Sequence, residues 1–337
     1  MTLSGAARYW TLFIVGILLA VWIGSSGPQV FGGSGTWTAK TPISTPRDNL
    51  AVGAINGILY VVGGAPLSGL DSLHTVEAYD PAHNAWTAKT PMAMPRAKHA
   101  VGVVKGILYA MGGIGSGIGP DLDTVEAYDP IRNVWTPKAP MPTPRWGFAV
   151  GVVNGVLYAV GGYGGSDGWL GTVEAFDPGV NKWTTKAPMP TARNYLAVGV
   201  TNGILYAVGG ACCAPGENAN ILRTVEAYDP TTNTWRAKAP MPTPRYGLAV
   251  GVINGILYAV GGRNMAPGGI FTTVEAYDPI TNRWSAKAPM PAGRAGLAVG
   301  TIDGILYVVG GASLIKGTSS PTGWKAQLPR ELLAFKP

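Results

Sequence analysis

Cysteine, histidine and charge are all scarce in this chain. Of its 337 residues, two are cysteine (Cys212 and Cys213) and three are histidine. Two adjacent cysteines provide neither a disulfide framework nor zinc-ligand spacing. They leave two readings, a strained vicinal disulfide outside the cytoplasm or two loop thiols. His74, His83 and His99 fall at unrelated points of the chain and assemble no copper site. No metal or cofactor is therefore expected. Charged residues make up 13%, about half the usual ~25% of soluble domains. The net charge of +7 invites a nucleic-acid reading, but no Lys/Arg run or nucleic-acid motif accompanies it. Twelve basic residues recur at two fixed positions of the six repeat units, so the charge is spread and nucleic acid is not expected as a partner.

Glycine and proline, by contrast, are plentiful, with 49 and 28 copies. That much punctuation excludes long helices, coiled coils and helical solenoids. Hydrophobic residues at 47% exclude a disordered chain. A β-rich fold of short strands and tight turns remains.

The N-terminus stands apart. Arg8 precedes an apolar run, Tyr9–Ile23, and Gly24, Ser25, Ser26 and Gly27 follow it. A basic residue, an apolar stretch and then small residues describe a secretory signal. As a helix the run reaches about 23 Å, short of a ~30 Å hydrocarbon core. Tyr9, Trp10 and Trp22 suit interfacial anchoring instead. Residues 1–26 are thus expected to form a hydrophobic helix, either a cleaved signal or a membrane anchor. Either way the rest would lie outside the cytoplasm. Residues 27–36 read as a flexible linker and 37–337 as the folded domain.

Self-similarity decides the fold of that domain. Tryptophans stand at 37, 86, 135, 183, 235 and 284, and the second glycine of a GG pair at 64, 113, 162, 210, 262 and 311. Both series have spacings of 49, 49, 48, 52 and 49. Within each unit an apolar segment such as Asn49–Ile55 leads to a two-residue turn. Four of these turns are Asn-Gly, the strongest short hairpin signal, and the others are Lys105-Gly106 and Asp303-Gly304. A strand like ILYVVGG follows, then a variable loop, then TVEAYDP, then a turn into a strand opening with Trp. Four antiparallel strands repeated six times predict an all-β, six-bladed β-propeller, each blade needing neighbours to cover its faces. The last unit has three strands, ending in ELLAFKP, while WTAK at Trp37–Lys40 is a strand without a unit. The N-terminal strand is expected to complete the sixth blade and close the ring.

The GG pair, the Tyr or Phe of VEAYDP and the Trp after it resemble the Kelch family across residues 37–337. The resemblance implies a six-bladed Kelch propeller, and one similar to exported bacterial Kelch proteins, including distantly the N-acetylneuraminate epimerases. It does not imply one activity, because Kelch propellers include adaptors, sugar-processing enzymes and structural binders.

Strand direction places the post-GG loops and the PMPTPR links on one face, where the sequence varies and a ligand is expected. Arg47, Arg96, Arg145, Arg193, Arg245 and Arg294 precede the inner strands at this channel mouth. They would either clasp an anionic ligand or pair with Glu77, Glu126, Glu174, Glu226 and Glu275, and the second is preferred because a buried carboxylate needs a partner. Leu333 replaces that glutamate in the last unit, leaving Arg294 the freest. The residues after each arginine differ: Asp48 and Asn49, Lys98 and His99, Trp146, Asn194 and Tyr195, Tyr246, and Gly296. His99, Trp146, Tyr195 and Tyr246 are candidate ligand contacts at the mouth, with packing against the next blade as the alternative. Tyr163, Trp169, Arg263, Asn264 and Trp324 are candidate loop contacts, and the long last loop is expected to cap part of the face. No acid/base pair stands out beyond the repeated residues, so catalysis is not expected. The expected function is a monomeric, exported binding module for a protein or glycan. The alternatives are a sugar-modifying enzyme of the N-acetylneuraminate epimerase type and a structural cell-envelope protein.

Overall fold

In the computed structural model, residues 34–66, 71–116, 120–164, 168–212, 220–266, 269–316 and 324–337 are described. The apolar run Tyr9–Ile23 and Cys213 lie outside them.

Each Asn-Gly turn forms because asparagine tolerates a left-handed backbone. Asn56, Asn154, Asn202 and Asn254 have φ of 48–52°. Lys105 and Asp303 adopt the same conformation, at 50° and 48°. The turn thus joins Ala51–Ile55 to Ile58–Val62 with Gly53 opposite Tyr60, and its counterparts recur in every blade. Val76–Asp80 pairs next, then Ala85–Lys89 outermost. The same order holds in the next four blades. Blade six combines Ala295–Ile302, Ile305–Lys316, Leu332–Lys336 and the N-terminal Thr36–Lys40. Trp37 stands opposite Phe335 in register, with ring centroids 4.8 Å apart, so the two ends of the chain close the ring as expected.

Burial follows radius. Inner strands alternate between buried and half-buried residues. The VEAY segment of each third strand is buried on both faces, because a neighbouring blade covers each side. Outermost strands are mostly exposed apart from their tryptophan. The core is correspondingly made between blades. Tyr109, Met111 and Val125 of blade two pack with Leu157, Ala159 and Phe176 of blade three. Inner strands approach so closely that a Cβ on Gly53 would lie 2.8 Å from Leu108 Cδ1 of the next blade, which explains the glycine there.

The last loop forms a hairpin, Ile305–Lys316 against Trp324–Gln327, with Lys316 opposite Trp324.

Candidate binding site at the axial mouth

The six arginines are not at the mouth. Each is at most 1% exposed, and the anion-clasp reading is corrected to a structural one. Arg96 Nη1 donates to Gly112 O at 3.0 Å and Thr124 O at 3.1 Å, and Nη2 lies 2.5 Å from Glu126 Oε1. The Arg96 carbonyl accepts the Gly64 N–H of the preceding blade at 2.9 Å. One residue therefore fixes its own blade and stitches it to its neighbour. Arg47 pairs with Glu77 in the same way, and Arg145, Arg193 and Arg245 lie 2.8–3.0 Å from Glu174, Glu226 and Glu275. Burial pulls the arginines below their ordinary pKa and the facing carboxylates push them back up. Arg294, expected to be the freest of the set, has the longest contact: Glu331, two positions before Leu333, lies 3.4 Å from it.

What surrounds the axis is a closed ring of six backbone hydrogen bonds. The N–H of Lys98 donates to Asn49 O, Gly147 to Lys98, Tyr195 to Gly147, Gly247 to Tyr195, Gly296 to Gly247 and Asn49 to Gly296, at 2.6–2.9 Å. All six residues have positive φ, from 50° to 65°. Glycine is the least costly residue for that conformation, and blades three, five and six use it. Blades one, two and four carry Asn49, Lys98 and Tyr195 instead. Lysine and tyrosine enter the left-handed region less readily than glycine or asparagine. Of these three, Tyr195 is among the contacts expected from the sequence, and Asn49 and Lys98 are not. The available signal was a non-glycine residue at an offset where three other units have glycine.

An open cavity of about 100 Å³ lies on the axis, lined by the ring residues and the residue after each of them. Its walls are Leu50, His99, Phe148, Leu196, Leu248 and Leu297. A second hollow of about 110 Å³ adjoins it, bounded by Asp48, Tyr195, Tyr246 and Arg263.

Aromatic rings run continuously beside these hollows. Trp169 meets Tyr163 at 5.6 Å, Tyr163 meets Trp146 at 5.2 Å, Trp146 meets Tyr195 at 5.5 Å, and Tyr195 meets Tyr246 at 5.9 Å. All five are half-buried. Isolated bridges hold the run together, since Trp146 pairs with Tyr163 and Tyr246 with Arg263. These bridges join the start of each inner strand to the post-GG loop, the shared face that strand direction predicts. Two cations sit on the run: Lys98 Nζ lies 4.5 Å from the Trp146 centroid, and the Arg263 guanidinium 5.6 Å from that of Tyr246. Burial draws Lys98 below its ordinary pKa, while Asp48 and Asp121 push it back up. Burial likewise raises Asp48 and Tyr195.

Of the remaining candidates, Asn264 turns its amide into its own loop, accepting the Ala266 N–H at 3.1 Å. Trp324 lies in the last hairpin, and Cys212 is buried in a short strand, Ala211–Cys212. Among the described residues no cluster of three or more His, Cys, Asp or Glu is arranged to hold a metal.

Comparison with known proteins agrees with the fold. The family model described as the KLHDC2/KLHL20/DRC7 Kelch-repeats domain matches residues 136–311, just over half of the chain. The Kelch motif matches residues 46–93 and 95–142. Kelch-like ECH-associated protein 1B of Danio rerio is 50% identical over 48 residues, covering 14% of this chain and 8% of that protein. The Influenza virus NS1A-binding protein homolog of Mus musculus is 56% identical over 43 residues, 13% of this chain and 7% of its own. The matched stretch is thus less than a tenth of either relative. The solved structure of YjhT superposes with a TM-score of 0.69 at 19% identity, covering 86% of this chain and 99% of that one. That likeness is one of fold.

Proposed function

Because this chain belongs to the Kelch-repeat family, whose propellers typically serve as protein-interaction modules, we propose that it is a noncatalytic binding module that docks an extended peptide segment of a partner protein across the axial face. The observation that carries the reading is the aromatic run from Trp169 to Tyr246, spread over blades three, four and five with Lys98 and Arg263 on its rings. Rigid aromatic anchors beside a pocket are what peptide hot spots use. The relative named for binding the influenza NS1A protein is consistent with such a role. We place its work outside the cytoplasm on the strength of Arg8 and the apolar run Tyr9–Ile23. Mass spectrometry of the mature N-terminus separates a cleaved signal from an anchor.

Sugar rings also stack on tryptophan and tyrosine, so a glycan is the second reading of the same surface. The sugar-epimerase alternative asks the repeated arginines and glutamates to meet a substrate, and those of the first five blades are paired in the blade interior.

The test is a linear-peptide display library and a glycan array, each probed with the full chain and with Trp146→Ala. The expected result is a peptide consensus that binds the wild type and loses at least about tenfold in affinity in the variant, as for a typical hot spot, with an unchanged melting temperature. Enrichment of glycans alone moves the function to the second reading. Binding that ignores Trp146, or no ligand of either class, overturns the site.

A further inference from the structure

We propose that blade two carries a ligand site of its own beside its outer strands, for a neutral apolar molecule bearing one hydroxyl, a phenol or a cyclic alcohol, whose hydroxyl donates to the Glu126 carboxylate. None of the residues lining this site lines the axial hollows, so it is independent of the peptide-binding reading.

The other blades show what blade two lacks. In each of the first five, the third-strand glutamate turns one carboxylate oxygen to the arginine. The second oxygen accepts a hydroxyl in four of them. Ser44 supplies it to Glu77 in blade one, and Thr143, Thr191 and Thr243 supply it at 2.7–2.9 Å in blades three, four and five. Blade one is the nearest template, because Glu77 Oε2 takes both the N–H and the hydroxyl of Ser44. Ala93 holds the position of Ser44 in blade two, and Glu126 Oε2 takes its N–H alone, at 2.8 Å. Met94 stands where the threonines are and offers only its N–H, to Oε1 at 3.3 Å. A carboxylate has about four acceptor positions. Ala93, Met94 and Arg96 fill three of them on Glu126, and the hydroxyl of the other blades is the donor left out.

The same two exchanges leave room beside that carboxylate. Ala93 replaces the proline ring of Pro142, Pro190, Pro242 and Pro291, and Met94 is 40% exposed. A cavity of about 420 Å³ lies there, with Ala93, Met94 and Glu126 in its wall, inside the ~300–1,000 Å³ range of small-molecule sites. Pro137 stands opposite Glu126 in register, so its ring shares the face of the carboxylate. Blades one, four and five have Ala88, Ala237 and Ala286 at that place. Val125, Trp135 and Pro140 extend the apolar wall. Arg96 already neutralises Glu126, and Asp123 and Lys138 add one charge of each sign to the lining. A neutral donor therefore suits the cavity better than an ammonium group, and the apolar wall takes a ring.

The probe is 2-naphthol, with naphthalene as its counterpart lacking the hydroxyl. Calorimetry on the full chain gives the affinities. Methyl ¹³C spectra of the nine methionines give the location, with the Met94 signal assigned by its loss in Met94→Thr. The probe should shift the Met94 methyl saturably. It should bind at least about tenfold more tightly than naphthalene, the worth of one hydrogen bond to a charged acceptor. Ala93→Ser restores the blade-one hydroxyl, and should erase that preference while naphthalene binds as before. The double variant Ala93→Pro, Met94→Thr gives blade two the Pro-Thr pair of blades three, four and five. It should melt with the wild type and bind 2-naphthol at least about tenfold more weakly, because its own ring and hydroxyl occupy the site. A Met94 methyl that ignores 2-naphthol, equal affinity for the two compounds in the wild type, or wild-type binding by the double variant each overturns the site.

Discussion

His99 shows how much one side chain departs from its repeat. Its five counterparts are apolar, and its burial beside Arg96 keeps it from taking up a proton. The sign of the consequence is fixed by linkage. The unfolded chain binds a proton at the ordinary histidine value of 6.5, while the folded chain does not until a much lower pH. Between those two values the unfolded state holds more protons, so stability falls as pH falls. Urea denaturation at pH 7 and pH 5 should show the wild type losing up to about 1.4 kcal/mol per pH unit below 6.5 relative to His99→Leu. Parallel pH dependence in the two proteins would mean that His99 is protonated in the fold. The cue to this residue was present in the sequence, in the alignment of Leu50, His99, Phe148, Leu196, Leu248 and Leu297. From the sequence alone His99 is expected as a mouth residue beside Lys98. Its lodging in an inter-blade slot depends on Gly63, a glycine of the preceding unit that sequence order does not bring near.

Among strands and links, the arginine–glutamate pair is the repeated fastening, and its strength differs from blade to blade. Thr143, Thr191 and Thr243 donate their hydroxyls to Glu174, Glu226 and Glu275 at 2.7–2.9 Å. In blade two Ala93 and Met94 offer only their N–H groups to Glu126. In blade six the acid is Glu331, whose side chain is 59% exposed. Removing one partner of a buried pair strands the other charge, so Arg145→Ala should cost about 3–5 kcal/mol. Glu331→Ala removes a mostly exposed carboxylate 3.4 Å from Arg294, whose Nη1 keeps its bonds to Gly310 O and Glu331 O, and should cost less than Arg145→Ala. Chemical denaturation of the two variants checks the contrast, and equal losses would refute it. That the arginines and glutamates would pair was legible from their co-occurrence in five units. The partner of Arg294 was not, because alignment puts Leu333 at the acidic position and only the folded chain brings Glu331 within reach.

The ring as a whole depends on its seam. Thr36–Lys40 covers the edge of Leu332–Lys336, and Trp37 packs on Phe335 while its Nε1 donates to Ala288 O at 2.9 Å. Without that strand blade six would present an open edge. A chain beginning at Thr41 should therefore melt at a lower temperature than one beginning at Ser34 and should aggregate on size-exclusion chromatography. Equal melting temperatures for the two would show that the seam contributes nothing.

Blade number, strand order and closure were all readable from the chain, because each rests on short-range chemistry repeated six times: a left-handed turn, an apolar strand, a tryptophan at fixed spacing. The burial of the arginines, the hydrogen-bonded ring through Asn49, Lys98, Gly147, Tyr195, Gly247 and Gly296, and the isolation of the His99 imidazole were decided by the tertiary structure. Five links of the ring join residues 48–52 positions apart and the sixth, Asn49 to Gly296, spans 247; they meet only because six blades converge on one axis. Convergence spends their backbone groups on each other and leaves the side chains to differ. No local pattern encodes that meeting point.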